Sequence, residues 1–111
     1  MTYNSELTTR IKQIILELGL YDTGALYDSI MVYVTATGNQ IEIDLFAKFY
    51  LKYLWERYNI ENEITFDPVT TLEFTRLIQT YIETQVSKIL EGDEEADIED
   101  ISVTFNLVDI N

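Results

Sequence analysis

Apolar residues recur every three or four positions near the start of the chain. This spacing predicts a helix over residues 5–18 that presents one apolar stripe to a core. Asn4 or Ser5 is placed to cap its first turn, and Gly19 suits the left-handed residue that follows many helices. The stripe consists of Leu7, Ile11, Ile14, Ile15 and Leu18.

Two alternating segments on either side of Gly38-Asn39 predict a β-hairpin over residues 30–45. Glycine and asparagine tolerate the positive φ angles that a two-residue hairpin turn requires. With this pair as the loop, every core-type residue lies opposite another on one face. The predicted core pairs are Ala36/Ile41, Val34/Ile43 and Val32/Leu45, and Thr35/Glu42 and Tyr33/Asp44 share the solvent face.

Two helices are predicted after the hairpin. The first covers Phe46–Tyr58 and is rich in aromatic residues, and a helix-breaking stretch over Asn59–Phe66 follows it. Asp67-Pro68 then combines a capping residue with a first-turn proline, so a long helix is expected from there to about Leu90.

A last strand is predicted over residues 101–107, where apolar and polar residues alternate. We therefore expect a single α+β domain over residues 1–111. It would contain an N-terminal helix, a β-hairpin, two further helices, an acidic loop at 91–100 and a C-terminal strand. That strand would complete a three-stranded antiparallel sheet.

Composition narrows the possible chemistry. The chain has no cysteine and no histidine, which excludes thiolate catalysis, zinc sites built on Cys or His, and His-based triads. No other nucleophile–base pair is evident, so we expect no enzyme activity and no cofactor. The N-terminus has no basic segment followed by an apolar one, and no apolar run reaches the length of a membrane span, so neither a signal peptide nor a span is expected.

The charge is strongly negative, with 20 acidic and 7 basic residues giving −13. Residues 89–111 hold eight acids and no base. Alternate acids from Asp93 to Glu99 resemble calcium ligands, but the loop lacks the sixth-position glycine and has Thr104 at its twelfth position, so a solvated acidic loop is the better interpretation. A conventional nucleic-acid binder carries the opposite charge. The surplus suits solubility, a basic partner, or a surface along which DNA passes without sticking.

The aromatic helix suggests a protein–protein contact, because one apolar stripe can pack in the core while a second stripe remains. Trp, Tyr and Arg are favoured anchors at interfaces. We expect subunit or partner contacts there and at the acidic loop, where the acids of one chain could meet the bases of a neighbour. The candidate contact residues are Lys52, Trp55, Arg57, Tyr58, Glu94, Glu95 and Asp97.

The segment Asp22–Ile30 resembles the Thr-Gly-x-Leu-x-x-Ser-Ile signature of head–tail joining proteins, the neck or tail-completion proteins of tailed bacteriophages. In that family a helix precedes the motif and a β-hairpin follows it, as predicted here. An aromatic stretch leading to a glutamate is loosely matched by Phe49, Tyr50 and Glu56, but the family's following glycine is replaced by Arg57-Tyr58-Asn59. The motif residues are Thr23, Gly24, Leu26, Ser29 and Ile30. We expect Thr23 to cap a turn, Gly24 to allow a close backbone approach, Leu26 to fill the core and Ser29 to hydrogen-bond to the backbone where the strand begins.

The resemblance implies a virion structural protein that forms a homo-oligomeric ring in the phage neck. Its partners would be portal or adaptor proteins and tail proteins, with DNA passing through the channel without sequence-specific binding and no membrane contact. The protein would be assembled in the host cytoplasm. The alternative is a small acidic DNA mimic or inhibitor that binds a basic partner. The near-neutral helix over 72–90 argues against mimicry, and a generic adaptor also stays open.

Overall fold

The computed structural model describes residues 1–20, 24–37, 40–48, 51–94, 96 and 101–110. Helices and strands follow one another in an α+β arrangement. The strands are β1 (Thr2–Tyr3), β2 (Met31–Thr37), β3 (Gln40–Lys48) and β4 (Ser102–Ile110). The helices are α1 (Ser5–Glu17), α2 (Ala25–Ser29), α3 (Leu51–Arg57), α4 (Ile60–Thr65) and α5 (Pro68–Leu90).

The hairpin of β2 and β3 has the predicted register. Thr37 pairs with Gln40, Val34 with Ile43 and Val32 with Leu45. The predicted loop, Gly38-Asn39, lies outside the described residues. The register follows from the alternation of side chains, because a slip of one residue would turn the core residues of one strand towards solvent.

The prediction of a three-stranded antiparallel sheet is wrong. The sheet has four strands in the order β1-β2-β3-β4, and β4 runs parallel to β3. The reason is the length of α5, whose 23 residues span roughly 35 Å. The C-terminal part of α5 lies beside Ala36, at the hairpin end of the sheet, so the chain returns to the end where β3 begins. A strand that starts there and lies beside β3 must run in the direction of β3.

The stretch between the hairpin and α5 also differs from the prediction. β3 continues to Lys48, so Phe46 belongs to the sheet instead of starting a helix, and α3 is described over Leu51–Arg57. The predicted breaker contains α4, which buries both Ile60 and Ile64 completely or nearly so. Asn59 precedes α4 with a left-handed φ of 51°, a conformation that asparagine tolerates better than most residues. Among the described residues, three helices beyond α2 therefore replace the predicted two.

The core lies between one face of the sheet and the helices. The face with Val32, Ile43 and Leu45 packs against apolar residues of α1, α2, α3 and α4. The predicted capping of α1 is confirmed for Asn4, whose Oδ1 accepts a hydrogen bond from the Leu7 amide. The most completely buried large side chains include Leu7, Ile11, Ile15, Ile30, Ile41, Ile43, Leu45, Leu51, Ile60 and Ile64.

Candidate assembly surfaces

The motif segment forms the corner between α2 and β2. Gly24 caps the start of α2 with φ 83°, a left-handed angle that costs glycine little and other residues more. Leu26 is buried in the core, as expected, and Ile30 is buried there as well. Thr23, which was expected to cap the turn, lies outside the described residues. The described motif residues therefore shape the backbone and fill the core.

Ser29 is the polar tie of this corner. Its hydroxyl donates a hydrogen bond to the carbonyl of Leu26 at 2.7 Å and accepts one from the Lys48 amide at 3.0 Å. The first bond closes the last turn of α2, and the second holds the end of β3 beside the start of β2. The predicted backbone bonding of Ser29 is confirmed, and the bond to β3 adds a partner 19 positions away.

The aromatic helix is partly engaged within its own chain. The Trp55 ring stacks on Phe105 of β4, with ring centroids 5.7 Å apart and planes at 26°. Lys52 and Arg57 are exposed, and the Arg57 guanidinium lies 5.8 Å from the centre of the Tyr58 ring. Contacts with another chain remain a prediction for Lys52, Trp55, Arg57 and Tyr58. Of the four, Trp55 already has a packing role, whereas the other three lie on the surface.

The acidic end of α5 carries the other predicted contacts. Glu94 is exposed in the turn after the helix, where Gly92 has a φ of 87°. Glu95 and Asp97 lie outside the described residues. The structure therefore places only Glu94 of the three predicted acids, close in sequence to the start of β4.

The sheet face opposite the helices carries an aromatic row that sequence reasoning missed. Tyr3, Tyr33 and Phe46 contact one another edge to face, with centroid distances of 5.5 and 5.4 Å. Beside this row the amide of Asn106 donates a hydrogen bond to Asp44 at 2.9 Å. The available signal was Tyr33 on the predicted solvent face, since an aromatic side chain there gains contacts from its cross-strand neighbours.

The predicted cap of α5 is confirmed for Asp67, whose side chain accepts a hydrogen bond from the Thr70 amide. The ion pairs of two buried carboxylates, Asp67 and Glu73, are absent from the sequence prediction. The Asp67 carboxylate accepts hydrogen bonds from the Arg10 guanidinium. The Glu73 carboxylate accepts them from the Arg76 guanidinium and from the side-chain amide of Asn4. Hydrogen bonding to its arginine lowers the pKa of each carboxyl to about 2. Both carboxylates are therefore ionised at neutral pH. The Asp67 carboxylate links the start of α5 to α1, and the Glu73 carboxylate links α5 to the N-terminal segment. Their long-range partners could not be read from sequence spacing.

Several cavities flank the core. One of 250 Å³ lies between β2, β3 and the C-terminal half of α5, and one of 390 Å³ adjoins it near the N-terminus. A third, of 230 Å³, lies under Trp55 and is lined by Phe74 and Val103. Within the described ranges, no group of His, Cys, Asp or Glu side chains is arranged to hold a metal ion. No helix among those residues is long and apolar enough to cross a membrane.

Comparisons with known proteins add no relative. No protein-family model matches the chain, and neither a curated protein nor a solved structure matches it.

Proposed function

We propose that the protein is a structural protein of a tailed-phage virion, forming a homo-oligomeric ring in the neck between capsid portal and tail. The observation that carries the proposal is the motif corner. Gly24 has a left-handed backbone conformation, and Leu26 is buried in the core. The Ser29 hydroxyl accepts a hydrogen bond from the Lys48 amide at the end of β3. None of them lines a cavity described above, which fits a scaffold role better than catalysis.

The surface of the molecule supports assembly. Apolar side chains remain exposed along α5, where Leu72 is 72% and Leu90 is 83% exposed, and Phe66 just before the helix is 78% exposed. The open sheet face adds the row of Tyr3, Tyr33 and Phe46. These exposed side chains are candidates for a surface that meets another protein. A ring requires heterologous contacts, in which two different surfaces of neighbouring subunits meet and the rotation closes.

The charge surplus fits a channel for DNA. A wall with net negative charge repels phosphates, so DNA can slide past without being held. Glu42 and Asp44 lie on the sheet face that carries no helix among the described residues, and Asp109 is exposed at the end of β4. These acids are available to such a wall.

The test has two parts. The mass of the purified protein is measured by light scattering after size exclusion, at low and at high salt, and intact phage particles are probed with an antibody against it. We expect a ring-sized species and labelling at the junction of head and tail. Absence of the protein from particles would overturn the proposal. A monomer that binds tightly to a basic nucleic-acid enzyme would favour the acidic inhibitor, which the charge of −13 also fits.

A further inference from the structure

The outer edge of β4 pairs with no other strand in the described part of the chain. The sheet order ends at β4, which is nine residues long and contains no proline. Because backbone groups alternate in direction along a strand, every second residue of β4 turns its N–H and C=O away from β3. Proteins usually protect such an edge with charge, proline, a bulge or a covering element. Only Asp109, near the end of β4, is charged, so the edge is able to pair with a further strand.

A cavity lies under the first half of the same strand. Its volume is 230 Å³, and it is lined by Val103 and Phe105 of β4 and by Trp55 of α3. Its floor is apolar, because Ile43 and Ile64 are almost completely buried. Sites for drug-sized ligands usually have volumes of about 300 Å³ or more. This smaller cavity therefore suits a single apolar side chain.

The mouth of the cavity faces the start of β4. The exposed members of its lining are Glu61, Thr65 and Val103, so the opening lies between α4 and the strand. Val103 and Phe105 share the face of β4 that packs against the helices, since they pair with core residues of β3. Side chains of paired strands lie in rows on a common face. Alternate side chains of a strand added beyond β4 would therefore lie in front of this opening.

The opening is acidic. Glu61 lines the cavity, no Lys or Arg among the described residues does so, and Glu61 belongs to none of the ion pairs within that part of the chain. The sheet register places Lys48 beside Ile110, at the other end of β4. A segment that carries Lys or Arg is therefore attracted to the start of β4, and the net charge of −13 adds to this attraction. The β4 strand of a second copy has no basic residue to offer.

We propose that the β4 edge binds an extended segment of a basic partner protein. The segment adds a strand beyond β4, inserts one apolar side chain into the cavity beside Trp55, and places a Lys or Arg against Glu61. In this mode of recognition main-chain hydrogen bonds supply affinity and a side-chain pocket supplies specificity. The proposal goes beyond the ring, because the partner is a different protein and the contact forms whether or not the chain assembles with itself.

Trp55 is the only tryptophan of the chain, so its fluorescence reports on the cavity. The probe is a peptide with blocked ends, Thr-Arg-Thr-Leu-Thr-Arg-Thr, whose Arg and Leu side chains share one face when it is extended. The control peptide, Thr-Thr-Arg-Leu-Arg-Thr-Thr, has the same composition and charge but carries Leu on the face opposite to Arg. We expect a saturable change in Trp55 fluorescence with the probe, and roughly fivefold weaker binding of the control. This comparison separates the site from non-specific attraction of a cationic peptide.

Two further comparisons test the charge and the added strand. Glu61→Gln should weaken binding of the probe roughly fivefold, whereas Glu63→Gln, on the exposed surface of the same helix, should change it little. Two versions of the probe carry N-methyl groups on alternate sets of backbone amides. The set that faces β4 should lose binding and the set that faces away should keep it.

Four results would overturn the proposal: no saturable binding of the probe, equal binding of probe and control, equal binding of the two methylated peptides, or equal effects of Glu61→Gln and Glu63→Gln. Trp55 fluorescence that depends on protein concentration without peptide would also overturn it, because a second copy would then occupy the edge. None of these results decides whether the protein belongs to phage particles, which antibody labelling tests separately.

Discussion

Arg10 and Asp67 join α1 to the start of α5 through two hydrogen bonds between a guanidinium and a carboxylate. The Nη2–Oδ1 distance is 2.6 Å and the Nε–Oδ2 distance is 3.0 Å. The same Asp67 carboxylate caps α5 by accepting the Thr70 amide and hydroxyl at 3.0 and 3.1 Å. One buried side chain thus both starts the longest helix and fastens it to the first one.

Two substitutions separate these roles of Asp67. Asp67→Asn keeps a capping side chain but removes the charge, and we expect a loss of about 2 kcal/mol in the free energy of unfolding because Arg10 loses its ionic partner. Asp67→Ala removes the cap as well and should cost about 1 kcal/mol more. Urea unfolding followed by circular dichroism measures both. Equal losses in the two variants would show that the cap contributes nothing.

The stability of the protein should fall in acid because of Asp67 and Glu73. Each has a pKa of about 2 in the folded protein, below the ordinary values of 3.8 and 4.5. A depressed carboxyl pKa contributes stability above the unfolded pKa and loses it as the pH falls towards the folded one. We therefore expect a constant urea midpoint above about pH 5 and a decline from there to about pH 2.

Asp67→Asn provides the comparison for this pH dependence. In Asp67→Asn, the free energy of unfolding should fall by about 2 kcal/mol less between pH 5 and pH 2 than in the unsubstituted protein. Glu6 has the opposite effect on the pH dependence of stability, because hydrogen bonding to Glu73 raises the pKa of Glu6. The same decline in both proteins would exclude Asp67 as a source of the acid sensitivity.

The hairpin was predictable from sequence because its register depends only on neighbouring residues. Alternation fixed the faces, and one turn fixed the pairing of Val32 with Leu45. The direction of β4 was not predictable in the same way. Alternation shows which side chains of Val103 and Phe105 share a face, but both directions of the strand satisfy it. The path of α5 decides the direction, and that path depends on packing across the whole domain.

The missed elements are short. β1 has two residues, too few for any alternation to be visible, and α4 has six, with Ile60 and Ile64 as its only apolar repeat. In the motif corner, too, some features were predictable from the sequence and others were not. The buried positions of Leu26 and Ile30 followed from their residue types, whereas the bond from Lys48 to Ser29 required the two strands to be placed side by side.

Ser29→Ala tests the motif corner. The substitution removes the acceptor of the Lys48 amide and the donor to Leu26, so we expect a loss of about 1–2 kcal/mol in unfolding free energy. Hydrogen exchange of the Lys48 amide should become faster by more than the loss of global stability requires. Ser87→Ala on the exposed face of α5 is the control and should be nearly neutral. Unchanged hydrogen exchange at the Lys48 amide would contradict a structural role for its hydrogen bond to Ser29.

Tyr81 offers a stabilising substitution. Its side chain is 6% exposed, and its hydroxyl has no hydrogen-bond partner among the described residues. Removing an unpaired buried hydroxyl relieves a desolvation cost, so Tyr81→Phe should leave the urea midpoint unchanged or raise stability by up to about 1 kcal/mol. Tyr81→Ala leaves a cavity and should cost about 3 kcal/mol or more. A clear loss in Tyr81→Phe would reveal a partner such as a bound water.

The stacking of Trp55 on Phe105 can be measured by a double-mutant cycle. Trp55→Ala, Phe105→Ala and the double variant are compared by urea unfolding, and we expect a coupling of about 0.5–1.5 kcal/mol because the rings are in contact. Additive losses would contradict the stacking. The coupling also bears on assembly. Trp55→Ala loosens the hold of α3 on β4, so it can weaken the proposed ring indirectly, through the packing of its own chain. Tyr58→Ala leaves that hold intact and should weaken the ring only if α3 itself contacts a neighbour.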